Sequence, residues 1–255
     1  MNDRAISESL GFVFVFSIIV LSLGLVSTVG FSQIEEVRND QQLENAERSF
    51  RIVAQNIEEL QTGQSVARGG ELDLNRGRIS TISSADSRLR VSVKSTTGPT
   101  DDYQATYELS GLEYQLEGTT VSYEGGAVFR RDRGGTAVIG SPTLVCTDER
   151  ALVSLVTVDG PEGRQLGGGT VSVTVERQNA TVTFPVNRSG PNSTAGRANV
   201  SIEVVNSQFK SGWNQHLESR QGWHPSGSGF VCDGTGNGVQ TYQIVRTHVS
   251  VTFTR

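Results

Sequence analysis

The chain has 255 residues, and its formal charge of −5 lies within the first 60 residues, which carry 4 basic and 9 acidic side chains. Residues 61–255 carry 18 charges of each sign, so the chain lacks the basic face that nucleic-acid recognition requires, and nucleic acid is excluded as a partner. Cys146 and Cys232 are too few for a disulfide-dense scaffold. They either pair in an extracytoplasmic domain or remain two buried thiols.

The first element is an uncharged run that covers residues 9–34. As a helix these 26 residues rise ~39 Å, against a hydrocarbon core of ~30 Å. The run is also longer than the apolar core of a cleavable signal peptide, which has about 7–15 residues. The sequence therefore predicts a retained transmembrane or hydrophobic stem helix over residues 6–33.

The stem helix is expected to continue through residues 34–61, which contain neither glycine nor proline before Gly63. Apolar residues recur there at alternating spacings of four and three, which is the pattern of one amphipathic face; they are Ala46, Phe50, Val53, Ile57 and Leu60. This face either forms a short two-stranded coiled coil or packs on the protein's own head. Packing on the head is favoured because the stretch holds fewer than three heptads.

The N-terminal residues Arg4-Ala5-Ile6-Ser7-Glu8-Ser9-Leu10-Gly11, followed by the apolar run, resemble archaeal type IV pilins and pilin-like proteins, particularly those of haloarchaea. The resemblance implies a short leader, residues 1–5, that a prepilin peptidase removes. Arg4 and Ala5 are then the recognition residues, and Ile6 is the new N-terminus. Ala5 stands where the family most often has glycine.

Glu8 is a carboxylate at the N-terminal edge of the apolar run. In a filament it can pair with the freed α-amine of a neighbouring subunit, which gives it a role in assembly. Alternatively, it lies in the headgroup region, where a negative charge in the first helical turn suits the helix dipole. Both interpretations stay open at this level.

From Gly63 onward the apolar period changes to two, which indicates half-buried strands. The predicted strands cover Arg88–Ser95, 103–109, 112–117, 119–123, 127–131, 151–158, 170–176, 181–186, 199–205 and Thr241–Thr254. Residues 177–180 are predicted to form a hairpin turn, and residues 212–220 a short helix. The expected fold class is α+β, with the long helix packed on a mainly antiparallel, β-sandwich-like extracytoplasmic head over residues 64–255.

No sequence pattern in the head indicates a set of catalytic residues. His216, His224 and Cys232, with Asp233 beside them, suggest zinc, but their spacing matches no closed zinc site, so no metal and no cofactor are predicted. The loop Asp233–Gly238 is not followed by a helix whose N-terminus could bind phosphate. It also lacks the acidic side chains that a calcium loop requires. Residues 225–229 lack the first glycine of a nucleophile elbow. The chain is predicted not to be an enzyme.

Four N-x-[ST] sequons lie within 23 residues, and each marks an acceptor for N-glycosylation on an outward-facing head. They are Asn179, Asn187, Asn192 and Asn199. Chance in a Ser- and Thr-rich stretch is the competing explanation.

Three functions are weighed for such a chain. The leading one is a pilin-like, single-pass surface protein that acts in filament assembly or adhesion, with its N-terminus cytoplasmic and its head extracellular. Its expected partners are membrane lipid, other pilin-like subunits and prepilin peptidase. The second is an uncleaved, membrane-anchored β-sandwich module that binds envelope components. The third is an extracytoplasmic enzyme on the same stem.

Overall fold

The computed structural model describes residues 3–82, 87–96, 102–161, 165–185 and 196–255, and for residues 3–10 and 27–33 it describes the helical backbone alone. The chain divides into two compact units, Met1–Glu44 and Asn45–Arg255. Helix α1 (Asp3–Gln61) supplies all of the described part of the first unit and the beginning of the second.

Helix α1 ends in a glycine-based cap. Gly63 adopts φ +78°, and its N–H donates to the carbonyl of Leu60, while the N–H of Gln64 donates to the carbonyl of Glu59. These two bonds define a Schellman motif, which satisfies carbonyls that the last helical turn leaves unpaired. Arg177 also donates from Nη1 to the carbonyl of Leu60 at 3.1 Å. The end of the helix is therefore fixed by both local and tertiary contacts.

The described part of the second unit holds sixteen strands and one further helix. The strands are β1 (Ala67–Asp73), β2 (Arg78–Ile82), β3 (Arg88–Ser95), β4 (Tyr103–Glu108), β5 (Gly111–Leu116), β6 (Thr119–Glu124), β7 (Ala127–Asp132), β8 (Gly135–Gly140), β9 (Leu144–Cys146), β10 (Arg150–Asp159), β11 (Leu166–Gly167), β12 (Thr170–Phe184), β13 (Ala198–Asn206), β14 (Trp223–Ser226), β15 (Gly229–Cys232) and β16 (Thr241–Thr254). Helix α2 (Lys210–Ser219) lies between β13 and β14.

These strands form three sheets. The first sheet has the order β1-β12-β16-β10-β9, the second β11-β2-β5-β6-β7-β8, and the third β14-β15-β13-β3-β4. Neighbouring strands are antiparallel except β10 and β16, which pair in parallel from Arg150↔Thr241 to Asp159↔Ser250. A parallel pair needs a long crossover connection, and residues 160–240 supply it.

The core gathers apolar side chains from all three sheets around α2. Trp213 and Leu217 of α2 are fully buried, four residues apart on one helix face. The rings of Phe209 and Trp213 lie 5.2 Å and 5.3 Å from the ring of Phe129 on β7. Aromatic contacts at these distances add to the burial of area. Helix α2 is thus held by its apolar face.

Within the second unit, residues 45–61 of α1 pack on the β strands. Phe50, Ile57 and Leu60 are buried. Glu47 accepts an ion-paired hydrogen bond from Arg130 of β7 at 2.8 Å, and Gln61 donates to the hydroxyl of Ser154 on β10 at 2.9 Å. The apolar side chains supply the burial, and the polar contacts at both ends fix the rotation of this segment.

The predicted fold class is wrong. The chain is mostly β, with three sheets where one antiparallel sandwich was expected, and with a parallel pair at the centre of the first sheet. Within the described residues, no helix combines the length and the apolar character that crossing a membrane requires. From Glu35 onward α1 carries charged residues.

The hairpin predicted at residues 177–180 is also wrong. Strand β12 continues without a turn from Thr170 to Phe184 along β16, with a register shift between Arg177 and Asn179. A β-bulge accommodates the extra residue and lets a polar stretch continue in one strand. The polar run looked like a turn because its side chains are mostly exposed.

Candidate functional site

The most distinctive surface of the first unit is the apolar segment, defined here as residues 11–26 of α1. All of its side chains are exposed except Ser17, which is half-buried, and Phe12 and Leu21 are each 71% exposed. The hydroxyl of Ser22 donates to the carbonyl of Ile18 at 2.6 Å, so this polar group is satisfied inside the helix. The segment is therefore apolar on every side.

Twelve large apolar side chains of this segment are exposed. They are Phe12, Val13, Phe14, Val15, Phe16, Ile18, Ile19, Val20, Leu21, Leu23, Leu25 and Val26. Soluble monomers rarely expose a contiguous apolar patch of this extent, and such patches mark interaction surfaces.

The residues predicted for leader processing and assembly lie at the start of the same helix. Arg4, Ala5, Ile6 and Glu8 fall within α1, which begins at Asp3. Their side chains lie outside the described residues, so their predicted roles stay predictions.

Cys146 and Cys232 form a disulfide with a Cα–Cα distance of 5.7 Å. Cys146 ends β9 of the first sheet and Cys232 ends β15 of the third, so the bond ties two sheets together. Stable disulfides belong to oxidising compartments, outside the cytosol of most cells. The bond also removes Cys232 from the set of thiolates that can bind a metal.

The three histidines lie in separate environments. Burial, and then the charge of Arg220, lower the pKa of His216 to about 4, and its Nε2 accepts a hydrogen bond from Arg220 at 3.3 Å. His224 bonds Asp233 at 2.6 Å. His248 lies 3.9 Å from Asp159, and burial lowers its pKa. Among the described residues, no three metal-binding side chains come together.

The two glycine-containing loops singled out in the sequence are backbone turns. In the loop Asp233–Gly238, the N–H groups of Gly236 and Gly238 both donate to the carbonyl of Asp233. Residues 227 and 228 form the turn of the β14–β15 hairpin, whose last pair is Ser226↔Gly229. The hydrogen bond between Asp233 and His224 is the contact that these described loops make with a histidine.

The sequons differ in accessibility. Asn179 lies exposed at the bulge of β12, and its sequon partner Thr181 is exposed too. Asn199 is half-buried on β13, a strand paired on both sides, and its Oδ1 is buried. Asn187 and Asn192 lie outside the described residues.

In a host that glycosylates sequons, we expect higher occupancy at Asn179 than at Asn199, because the transferase must reach the side-chain nitrogen. Peptide mass spectrometry of the protein purified from that host measures both sites. Thr181→Ala removes the Asn179 sequon and should abolish that modification alone. Higher occupancy at Asn199 would contradict the ranking.

Sequence reasoning missed two buried carboxylates in the second unit. Glu124 at the end of β6 is fully buried, and its Oε1 accepts hydrogen bonds from Trp213 Nε1 at 2.7 Å and from the hydroxyl of Ser207 at 2.8 Å. Its Oε2 is buried as well. Burial is the main cause that raises the pKa of Glu124, and the charge of Glu113 adds to it.

Glu113 of β5 is also buried, and it accepts hydrogen bonds from Gln208 at 2.5 Å and from Gln115. Both carboxylates therefore hold the covering residues 207–213 against the second sheet. No local pattern could have identified Glu124, because Ser122 and Glu124 alternate with Val121 and Tyr123 as solvent-facing residues do.

No curated protein and no solved structure matches this chain. One family model matches it over residues 4–255, and its description is a family of unknown function, DUF7289. The match includes the apolar segment, the rest of α1 and all three sheets, so helix and head belong to one family unit. The chain belongs to the DUF7289 family.

Proposed function

We propose that this chain is a pilin-like surface protein whose copies assemble through the apolar segment of α1, with the β head displayed outside the cell. The observation that carries the proposal is the segment itself, which is exposed and uncharged on all sides. A partner must therefore surround it. A bundle of identical helices can do this without a second kind of protein chain. The proposed partner of the apolar segment is a second copy of the chain, and further copies then add to the assembly.

The energy of burial supports assembly. Twelve large apolar side chains at ~1.5–3 kcal/mol each give roughly 18–36 kcal/mol when fully covered, which exceeds an association cost of ~4–15 kcal/mol. Ser17 and Gly24 lie seven residues apart on one side of the helix, and a Cβ at Gly24 meets no atom within 4 Å. Small residues allow two helix backbones to approach closely.

The head supports an outward location. The disulfide Cys146–Cys232 suits an oxidising compartment, and the second unit has balanced charge over residues 61–255. In the proposed pathway a prepilin peptidase removes residues 1–5. The free α-amine of Ile6 then offsets the carboxylate of Glu8 on a neighbouring copy.

A charge within the apolar segment tests the proposal. In Leu21→Lys, an ammonium group must enter the helix bundle without a partner, so we expect the concentration needed for assembly to rise by at least about 100-fold. The full chain is purified in mild detergent, the detergent is removed, and assembly is followed by sedimentation and electron microscopy.

Gln41→Lys is the matched control, because residue 41 is exposed on the same helix but lies outside the apolar segment. It should assemble like the wild type. Two results would count against the proposal. One is assembly of the Leu21→Lys chain at wild-type concentration. The other is a wild-type chain that stays monomeric while it floats with lipid vesicles, which would make lipid the occupant.

A further inference from the structure

One end of the second sheet carries a cavity of about 440 Å³ with two guanidinium groups in its wall. Its lining residues are Arg76, Arg78, Gln115, Leu116, Glu117 and Gly118. They come from the β1–β2 turn, the β5–β6 hairpin turn and the ends of β2 and β5 beside these turns. A volume of this size lies within the range of small-ligand sites, which is roughly 300–1,000 Å³.

Local hydrogen bonds and a close contact with β5 define the β1–β2 turn. The N–H of Gly77 donates to the carbonyl of Leu74 at 2.6 Å, and both the N–H and the side-chain amide of Asn75 donate to the carboxylate of Asp73. A Cβ at Gly77 would lie 2.2 Å from the ring of the buried Tyr114, so only glycine lets the turn lie this close to β5. The two arginines that flank Gly77 are therefore held by a fixed backbone.

The opposite wall is the two-residue turn between β5 and β6. Glu117 and Gly118 have φ values of +46° and +88°, as the two central residues of a type I′ hairpin turn require. Arg76 Nη2 lies 3.4 Å from Glu117 Oε1 and connects the two turns across the cavity. The cavity is thus bounded on both sides by tight turns.

Arg78 differs from Arg76 in its partners. It is exposed at the first position of β2, where it pairs with Gln115 on one side and Gly167 on the other. Within the described ranges no carboxylate forms an ion pair with Arg78. Arg255 Nη2 donates to the carbonyl of Gly167 at 2.6 Å, which brings a third guanidinium group to the same edge.

We infer that this cavity binds the carboxylate of an acidic sugar, with the Arg78 guanidinium as the main contact. A guanidinium group presents paired N–H donors that match a planar carboxylate and make the stronger, charge-assisted hydrogen bonds. Gln115 and the Arg76–Glu117 pair supply both donors and acceptors, which sugar hydroxyl groups need. This inference does not depend on stem assembly, since it concerns the second unit alone.

Three small probes test the ligand class by isothermal titration of the full chain in detergent. Glucuronate carries both the sugar and the carboxylate, glucose carries the sugar alone, and acetate carries the carboxylate alone. We expect saturable binding of glucuronate, with an affinity at least about tenfold above that for either partial probe. Equal binding of acetate and glucuronate would overturn the assignment to a sugar, and no binding of glucuronate would overturn the site.

Arg78→Gln tests the contact, and Arg133→Gln is its control. Arg133 is exposed in the β7–β8 turn of the same sheet, so both substitutions remove one surface charge. Glucuronate affinity should fall at least about tenfold in Arg78→Gln and stay unchanged in Arg133→Gln. Equal losses in the two variants would show a diffuse charge effect and overturn the site. Circular dichroism verifies that both variants keep the wild-type fold.

Discussion

Replacing Cys146 and Cys232 together by serine is expected to lower the free energy of unfolding by about 4–5 kcal/mol. The two residues are separated by 86 positions, and the chain-entropy model assigns that stabilisation to a loop of this length. For a chain of this size the melting temperature should fall by about 8–20 °C. Strand β9 adds a local reason, because its three residues pair only with β10 and the disulfide ties it to β15.

Thermal unfolding followed by near-ultraviolet circular dichroism measures this effect, since Trp213 and Trp223 are buried. A reducing agent should lower the melting temperature of the wild type to that of the double serine variant. The same agent should leave the double variant unchanged. Equal melting temperatures for wild type and variant would show that the disulfide adds nothing to stability.

The elements that could be predicted from sequence are those whose apolar period is uninterrupted. Strands β3 and β16 were predicted with the observed bounds, because Leu and Val alternate with polar residues along β3, and Tyr, Ile, Val and Phe do so along β16. Helix α2 was predicted within two residues at its start, because Trp213 and Leu217 are four residues apart. The apolar segment could also be predicted, since the apolar composition of residues 11–26 is enough to define it.

The features that could not be predicted from sequence are those that depend on contacts between residues distant in the chain. Strand β1 contains Gly69 and Gly70 and takes its extended form from pairing with β12. The parallel pairing of β10 and β16 joins residues about 90 positions apart, and no local pattern indicates its direction. The cavity beside Arg78 likewise forms only when the β1–β2 turn and the β5–β6 turn come together.

The buried carboxylate of Glu124 gives the second large expected effect. Glu124→Ala removes the acceptor of Trp213 Nε1 and of the Ser207 hydroxyl, and it leaves a cavity between β6 and α2. One buried donor and one half-buried donor lose their partner, and together with the lost side chain this should cost about 3–5 kcal/mol. Urea unfolding followed by tryptophan fluorescence measures the loss. A change below about 1 kcal/mol would contradict the proposed anchoring of residues 207–213.

Glu124→Gln separates hydrogen bonding from charge, because glutamine keeps an acceptor for Trp213 and Ser207 but cannot ionise. Burial raises the pKa of Glu124 above its usual value of 4.5, so the folded state holds a proton that the unfolded state releases. The stability that this provides is complete below pH 4.5 and is lost as pH rises through the raised pKa. Wild type should therefore lose stability relative to Glu124→Gln across that window. Since Glu113 remains in both chains, parallel curves would show that the Glu124 carboxylate stays ionised in the folded protein.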